Sequence, residues 1–246
     1  MTSLKDAVSR VLEEQKRTEK PLAIIVAGHN GSGKSTMWRK SLSNQLQIPL
    51  LNADRMMLSI LPEPDGSGAL VDWAQNLRDT DLGWMQVAQA GVKAFAAHAM
   101  QAKVPFAVET VFSHWDVQDD GTVLSKLDLI TDLQAAGYFV FLVFVGLSNA
   151  ELSILRVMTR VAEHGHGVPQ DKLVARFPRT QQAIREAAKI ADATIFTDNS
   201  RSEKQAFTVC RVQLGAQALF DVRSGEAPVP PAILDWLDTV SPTAGA

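Results

Sequence analysis

Short, almost unbroken apolar runs recur along the chain, and between them apolar positions return every three or four residues among charged ones. The runs span residues 22–27, 48–52, 104–109, 138–147 and 193–197. A run of this length without alternation reads as a strand buried on both faces, which a parallel sheet covered by helices on each side produces. The stretches between carry the helical period, so strand and helix alternate and an α/β fold is predicted. Two later runs, 207–212 and 218–222, flank Leu214-Gly215-Ala216-Gln217 and predict an antiparallel hairpin added at the sheet edge, away from the chemistry. Leu4, Val8, Val11 and Leu12 stand at helical spacing among charges and predict an amphipathic helix over 3–17, packed on the sheet. The Pro-rich stretch 228–242 carries Trp236 and Leu237 on a short helical pattern; it is expected to dock on the surface, with the last few residues frayed.

In an open α/β sheet, ligands bind beyond the carboxyl ends of the strands, so the polar residues just past each run meet at one edge. These are the loop after residue 27, Asn52-Ala53-Asp54, Glu109-Thr110 and the segment after Gly146. The first is the most specific. Gly28-His29-Asn30-Gly31-Ser32-Gly33-Lys34-Ser35 fits the pattern G-x-x-x-x-G-K-[ST] in full, between a buried strand and a helical stretch. Gly28, Gly31 and Gly33 allow backbone N–H groups to approach phosphates without Cβ obstruction. Lys34 adds a point charge toward the β- and γ-phosphates, Ser35 offers a hydroxyl to Mg²⁺ with Thr36 beside it, and the helix that begins here points its positive end at the anion. A P-loop NTPase fold and a bound nucleoside triphosphate are predicted.

Composition narrows the rest. With 246 residues, 46% of them hydrophobic, and no linker or repeat, one domain with one sizeable core is expected over 1–246. Within it, a helix at 3–17, a core at 22–200 and a hairpin and tail at 205–246 are distinguished. The net charge of −3 and scattered Lys and Arg residues give no basic field, so no nucleic-acid partner is expected. The single Cys210, placed in a strand-like run and expected in the core, excludes an intramolecular disulfide and suits a reducing cytosol. The apolar run 138–145 is far short of the ~20 residues that span a bilayer, and the N-terminus is polar, so a cytoplasmic protein without membrane attachment is expected.

Phosphoryl transfer to an alcohol needs a carboxylate near the acceptor proton. Asp54 and Glu109 are the candidates, each at a strand end, where a helix cap or a solvated charge is the ordinary alternative. Glu109 is also the nearest substitute for the missing second-motif aspartate, so Mg²⁺ is expected on Ser35 with waters oriented by Asp54 or Glu109. Arg156 and Arg160, four apart, share a helix face, and His164-Gly165-His166-Gly167 must leave that helix as a mobile turn. This segment, continuing through Arg176 and Arg179, reads as a lid that brings guanidinium groups onto the transferring charge. The two histidines have no third ligand nearby, which argues against a metal pair.

Together, G-H-N-G-S-G-K-S-T, the strand ends N-A-D and E-T, R-V-x-x-R-V followed by H-G-H-G-V-P, and A-D-A-T-I-F-T-D-N-S resemble the zeta-toxin family of P-loop kinases over about residues 22–200. The resemblance implies a nucleotide-kinase-like parallel sheet flanked by helices, and transfer of the γ-phosphate of ATP to a sugar hydroxyl, the characterised family substrate being UDP-N-acetylglucosamine. It implies that Asp54 is the general base, that Lys34 holds the phosphates, that Glu109 with Thr110 contacts the sugar nucleotide, and that Arg156, Arg160 and His166 surround the transferring group. It also implies an antitoxin protein as a possible partner. His164 stands where many relatives carry glycine, and the acceptor region Leu61–Met85, with Trp73, Arg78, Asp79, Asp81 and Trp84, matches no substrate-specific pattern. A kinase of the same fold for another alcohol, or a nucleotide-dependent switch that binds a partner, are the alternative readings.

Overall fold

The computed structural model describes residues 3–243. Seven strands, β1 (Leu22–Gly28), β2 (Leu50–Leu51), β3 (Phe106–Thr110), β6 (Phe139–Gly146), β7 (Ala193–Asp198), β8 (Thr208–Leu214) and β9 (Gln217–Asp221), form one sheet in the order β2-β3-β1-β6-β7-β8-β9. The first five are parallel; β8 and β9 add antiparallel. A small hairpin of β4 (Trp115–Val117) and β5 (Val123–Ser125) stands apart. The helices are α1 (Leu4–Arg17), α2 (Lys34–Met37), α3 (Ser43–Leu46), α4 (Ala53–Leu58), α5 (Asp72–Thr80), α6 (Leu82–Ala102), α7 (Leu127–Ala135), α8 (Ala150–Ala162), α9 (Gln170–Ile190) and α10 (Pro231–Val240). A π-turn over Trp38–Leu42 joins α2 to α3. The predicted α/β sheet with a C-terminal hairpin is what forms.

Every residue of β1, β6 and β7 is buried, which is why these strands read as unbroken apolar runs. Their side chains part by parity. Leu22, Ile24 and Val26 of β1 join Val8 and Val11 of α1 and Met37, Trp38 and Leu42 on one face. Ala23, Ile25 and Ala27 join Ile130 of α7, Ile184 and Ala187 of α9 and Trp236 of α10 on the other. Cys210 lies in this second layer, and burial pushes its thiol up to about 12, so it stays protonated.

Three expectations need correction. The strand expected at 48–52 shrinks to Leu50–Leu51, because Pro49 has no N–H to give the ladder and Asn52 already caps α4, its side chain accepting from the Arg55 N–H at 3.0 Å. The tail does not sit on the surface: Trp236 is 1% exposed, and its ring presses on Gly146, where an added Cβ would stand 3.0 Å away. An amphipathic pattern looks the same whether its apolar stripe meets a surface or completes a core. The expected fraying of the last few residues falls largely on 244–246, outside the described residues. The hairpin is not remote from the chemistry either, since Phe207, just before β8, lies against the phosphate loop.

Candidate active site

The loop between β1 and α2 is braced from three sides. Gly33 has φ +93°, and a Cβ there would lie 2.6 Å from Asn199 Nδ2. Gly31 has φ +69°, and its Cβ would meet Arg156 Cβ at 3.0 Å. Only glycine accepts both the left-handed backbone and the close approach. Asn199, just past β7, donates its side-chain N–H to the Ser32 carbonyl at 2.8 Å and its backbone N–H to the Gly146 carbonyl at 3.1 Å. Ser153 of α8 donates to the Asn30 carbonyl at 2.7 Å. His29 contributes backbone rather than ring to the loop. Its ring is 2% exposed, stacks on Phe177 at 3.9 Å, and is held neutral, its pKa pushed down to about 3 by burial and then by Lys34.

Lys34 is 8% exposed, and its ammonium donates to the Gly28 and His29 carbonyls at 3.0 and 2.8 Å. Burial pushes its pKa down to about 8; Glu109 and Asp54 oppose that shift, and Arg160 and Lys126 add to it. Two carboxylates and two cations from distant parts of the chain therefore act on one ammonium. Ser35 Oγ donates to Glu109 Oε1 at 2.6 Å, while Glu109 Oε2 is buried without a partner. A hydroxyl and a carboxylate with an unused oxygen are hard oxygen donors of the kind Mg²⁺ takes, so the residues present fit that ion. Asp54 stands exposed in the first turn of α4. Thr110, next to Glu109, accepts from the Lys126 ammonium.

Arg156 and Arg160 ride on α8 over the loop. Burial lowers the Arg156 pKa, partly countered by Asp198, and Arg160 Nε is buried without a partner. After α8 the chain turns at His164, whose φ of +62° is left-handed although it is not glycine. This turn, expected to be mobile, is tied down. Arg78 of α5 forks onto Asp79 at 2.7 and 2.8 Å and donates to the His164 carbonyl at 2.8 Å. His166 Nδ1 lies 3.2 Å from Asp79 Oδ1, and the Asp79 carboxyl is held below its ordinary range by Arg78 first and by His166. Gly165 N–H donates to the Arg160 carbonyl at 2.8 Å, so the tether reaches the base of the arginine. A cavity of about 380 Å³ opens here, between Gln75, Arg78 and Asp79 on one side and Val161, His164 and Pro169 on the other.

Asp54, Glu109 and Arg160 thus all act as charges on Lys34, Ser35 is bonded to Glu109, and His166 lies against Asp79 of α5. Sequence reasoning missed Asn199 and Ser153 as braces, the Arg78–Asp79 tether and Lys126. Asn199 had a signal, its place just past a strand end; Lys126 had none. Among the described residues no helix is long and apolar enough to cross a membrane.

Solved structures of low sequence identity share this architecture. One described as the PezAT chromosomal toxin–antitoxin system of Streptococcus pneumoniae matches with a TM-score of 0.52 at 16% identity, covering 96% of this chain and 86% of that one. AvrRxo1-ORF1:-ORF2 with ATP gives 0.57 at 13%, covering 97% and 70%. An uncharacterized protein of Haemophilus influenzae is 26% identical over 157 residues, 63% of this chain and 91% of its own. The sequence model described as zeta toxin matches residues 5–207, from α1 to the residue before β8, and so takes in every element that carries the groups around Lys34. The chain belongs to the zeta-toxin family.

Proposed function

We propose that the protein transfers the γ-phosphate of ATP to a hydroxyl of a nucleotide sugar, UDP-N-acetylglucosamine or a close relative. The observation that carries this reading is the phosphate loop itself, with the Lys34 ammonium held on the Gly28 and His29 carbonyls and the Ser35 hydroxyl donating to Glu109 at 2.6 Å. Family membership supports phosphotransfer.

In this reading Lys34 leaves the Gly28 and His29 carbonyls for the phosphates, and the acceptor oxygen attacks in line. A bond forms from that oxygen to the γ-phosphorus and the bond to the bridging oxygen breaks, ADP leaving with the electron pair. The acceptor proton passes to the exposed Asp54 carboxylate. Arg156 and Arg160 balance charge on the transferring group, and the tethered turn with His166 fixes where Arg160 starts. Glu109 and Thr110 face the acceptor. Ser35 and Glu109 would hold Mg²⁺, which when bound neutralises phosphate charge. The pneumococcal relative is described as part of a toxin–antitoxin system, and we extend to this chain an antitoxin protein as partner. We extend the same proposal to a cytoplasmic setting for the reaction.

The test is incubation of the purified protein with ATP, Mg²⁺ and a panel of UDP-sugars, with Lys34→Ala as control, reading the gain of one phosphate by mass spectrometry. A Lys34-dependent gain on UDP-N-acetylglucosamine or a close relative is expected. No gain on any UDP-sugar, with ATP binding intact, refutes the nucleotide-sugar acceptor.

A further inference from the structure

Helix α9 serves two bodies, and a proline stands where they meet. Pro178 lies inside the helix and divides its buried side chains. Ala183, Ile184, Ala187 and Ala188 follow it and pack into the core layer that holds Ile130 and Leu133 of α7. Leu173 and Phe177 precede it and belong to neither core layer of the sheet. They face the head of the phosphate loop instead: Phe177 stacks on His29, and Leu173 closes a small cleft against His29, Asn30 and Ser153. Helix α8 rests on the same stretch of loop, through the Ser153 bond to the Asn30 carbonyl and through Arg156 and Val157 against Gly31. The helix α8, the turn after it and the first two turns of α9 thus form one arm seated on His29, Asn30 and Gly31. Its tip is held to α5 by Arg78 and Asp79.

The helix is weakest at the boundary. Pro178 brings no N–H, so the Val174 carbonyl loses its partner in the ladder, and the ring crowds that carbonyl. The next two carbonyls each take a side-chain donor, Arg179 Nε on Ala175 at 2.9 Å and Thr180 Oγ1 on Arg176 at 2.9 Å. A threonine bonded back in this way bends a helix further. The Pro178 ring itself is exposed, so no packing accounts for a residue that weakens the helix.

We propose that Pro178 is the hinge on which this arm follows the phosphate loop. Uptake of a triphosphate moves Lys34 off the Gly28 and His29 carbonyls, so the head of the loop must resettle. The His29–Phe177 stack and the Ser153–Asn30 bond pass that shift to the arm, and the break at Pro178 absorbs it before it reaches the core half of α9. Arg156 and Arg160 ride on the arm and so keep their registration with the loop, empty or filled. An unbroken helix would fasten the arm to the sheet and make the loop move against it. The inference rests on triphosphate binding at the loop and adds where the resulting motion is taken up.

The test follows hydrogen–deuterium exchange along α9 in the full chain, free and saturated with the magnesium complex of a non-hydrolysable ATP analogue, for the parent and for Pro178→Ala. In the parent the analogue is expected to slow exchange over 170–177 about tenfold or more and to leave 179–190 unchanged. Pro178→Ala restores the missing N–H, so its melting temperature should rise by about 5 °C, and the response confined to 170–177 should vanish. Single-turnover transfer should fall about tenfold in this more stable protein, a pairing that a purely structural proline does not give. Phe177→Leu keeps an apolar side chain without the stack, and should lose the response over 170–177 with Pro178 in place. The hinge is overturned by an analogue response that runs evenly to 190 in the parent, by a melting temperature of Pro178→Ala at or below the parent's, or by a parental exchange response or transfer rate in that variant. A parental response in Phe177→Leu overturns it too. Absence of transfer to any UDP-sugar, with the exchange pattern as expected, overturns the acceptor reading and not the hinge.

Discussion

Binding of the triphosphate should draw a proton from solution above neutral pH. The free protein buries the Lys34 ammonium against two carbonyls with its pKa near 8, so at pH 8.5 about three-quarters of the molecules carry it neutral. Beside a triphosphate the charged form is strongly favoured, and each neutral molecule must take up a proton on binding. Titration of MgATP at pH 8.5 in two buffers of different ionisation enthalpy reads this directly, as a heat difference worth about 0.8 proton that falls to about 0.1 at pH 7. The same property acts on stability. The folded pKa lies below the ordinary lysine value of 10.5, so the fold disfavours the charged form. At about 1.4 kcal/mol per pH unit the penalty is about 3 kcal/mol below pH 8, and it fades as pH rises from 8 toward 10.5. Relative to Lys34→Met, the parent should gain about 2–3 kcal/mol in urea unfolding between pH 7 and 10. Buffer-independent binding heats at pH 8.5, together with a flat stability difference, would refute the burial argument.

Other consequences are as direct. Asp54→Asn should keep ATP binding, since Asp54 is exposed and outside the loop, and lose about 10²–10⁴-fold in transfer rate, as measured by single-turnover kinetics. A parental rate in that variant assigns the proton elsewhere. Trp236→Ala, emptying a fully buried site beside Gly146, should cost about 3–5 kcal/mol in denaturant unfolding, whereas a surface-docked tail would cost well under 1. Arg78→Lys removes the fork onto Asp79 and the bond to the His164 carbonyl. It should lower kcat with the KM for ATP unchanged, because the arginine it releases is not part of the phosphate loop.

The long buried strands were legible because burial on both faces leaves one kind of residue, and β1, β6 and β7 contain little else. The phosphate loop was legible because its backbone path admits only glycine at Gly31 and Gly33. Pattern was silent where tertiary partners decide. Nothing local distinguishes an Arg78 that ties down a turn 86 positions later from any helix-surface arginine, and Lys126 acquires its character from burial first and then from cations on two other helices. The tail was misplaced for a related reason: its stripe of Ile233, Trp236 and Leu237 was visible, but not the gap over Gly146 that it fills.

The stacking of His29 on Phe177 ties the phosphate loop to α9 through two flat rings, 10° from parallel, with no polar group between them. Arg176 is the neighbouring residue on that helix. The stretch of α9 around Arg176 is thereby held at a set distance from the phosphate loop, by a contact that neither titrates near neutrality nor depends on salt. The spacing between the phosphate loop and this stretch of α9 becomes a fixed dimension of the scaffold, a ruler made of two rings.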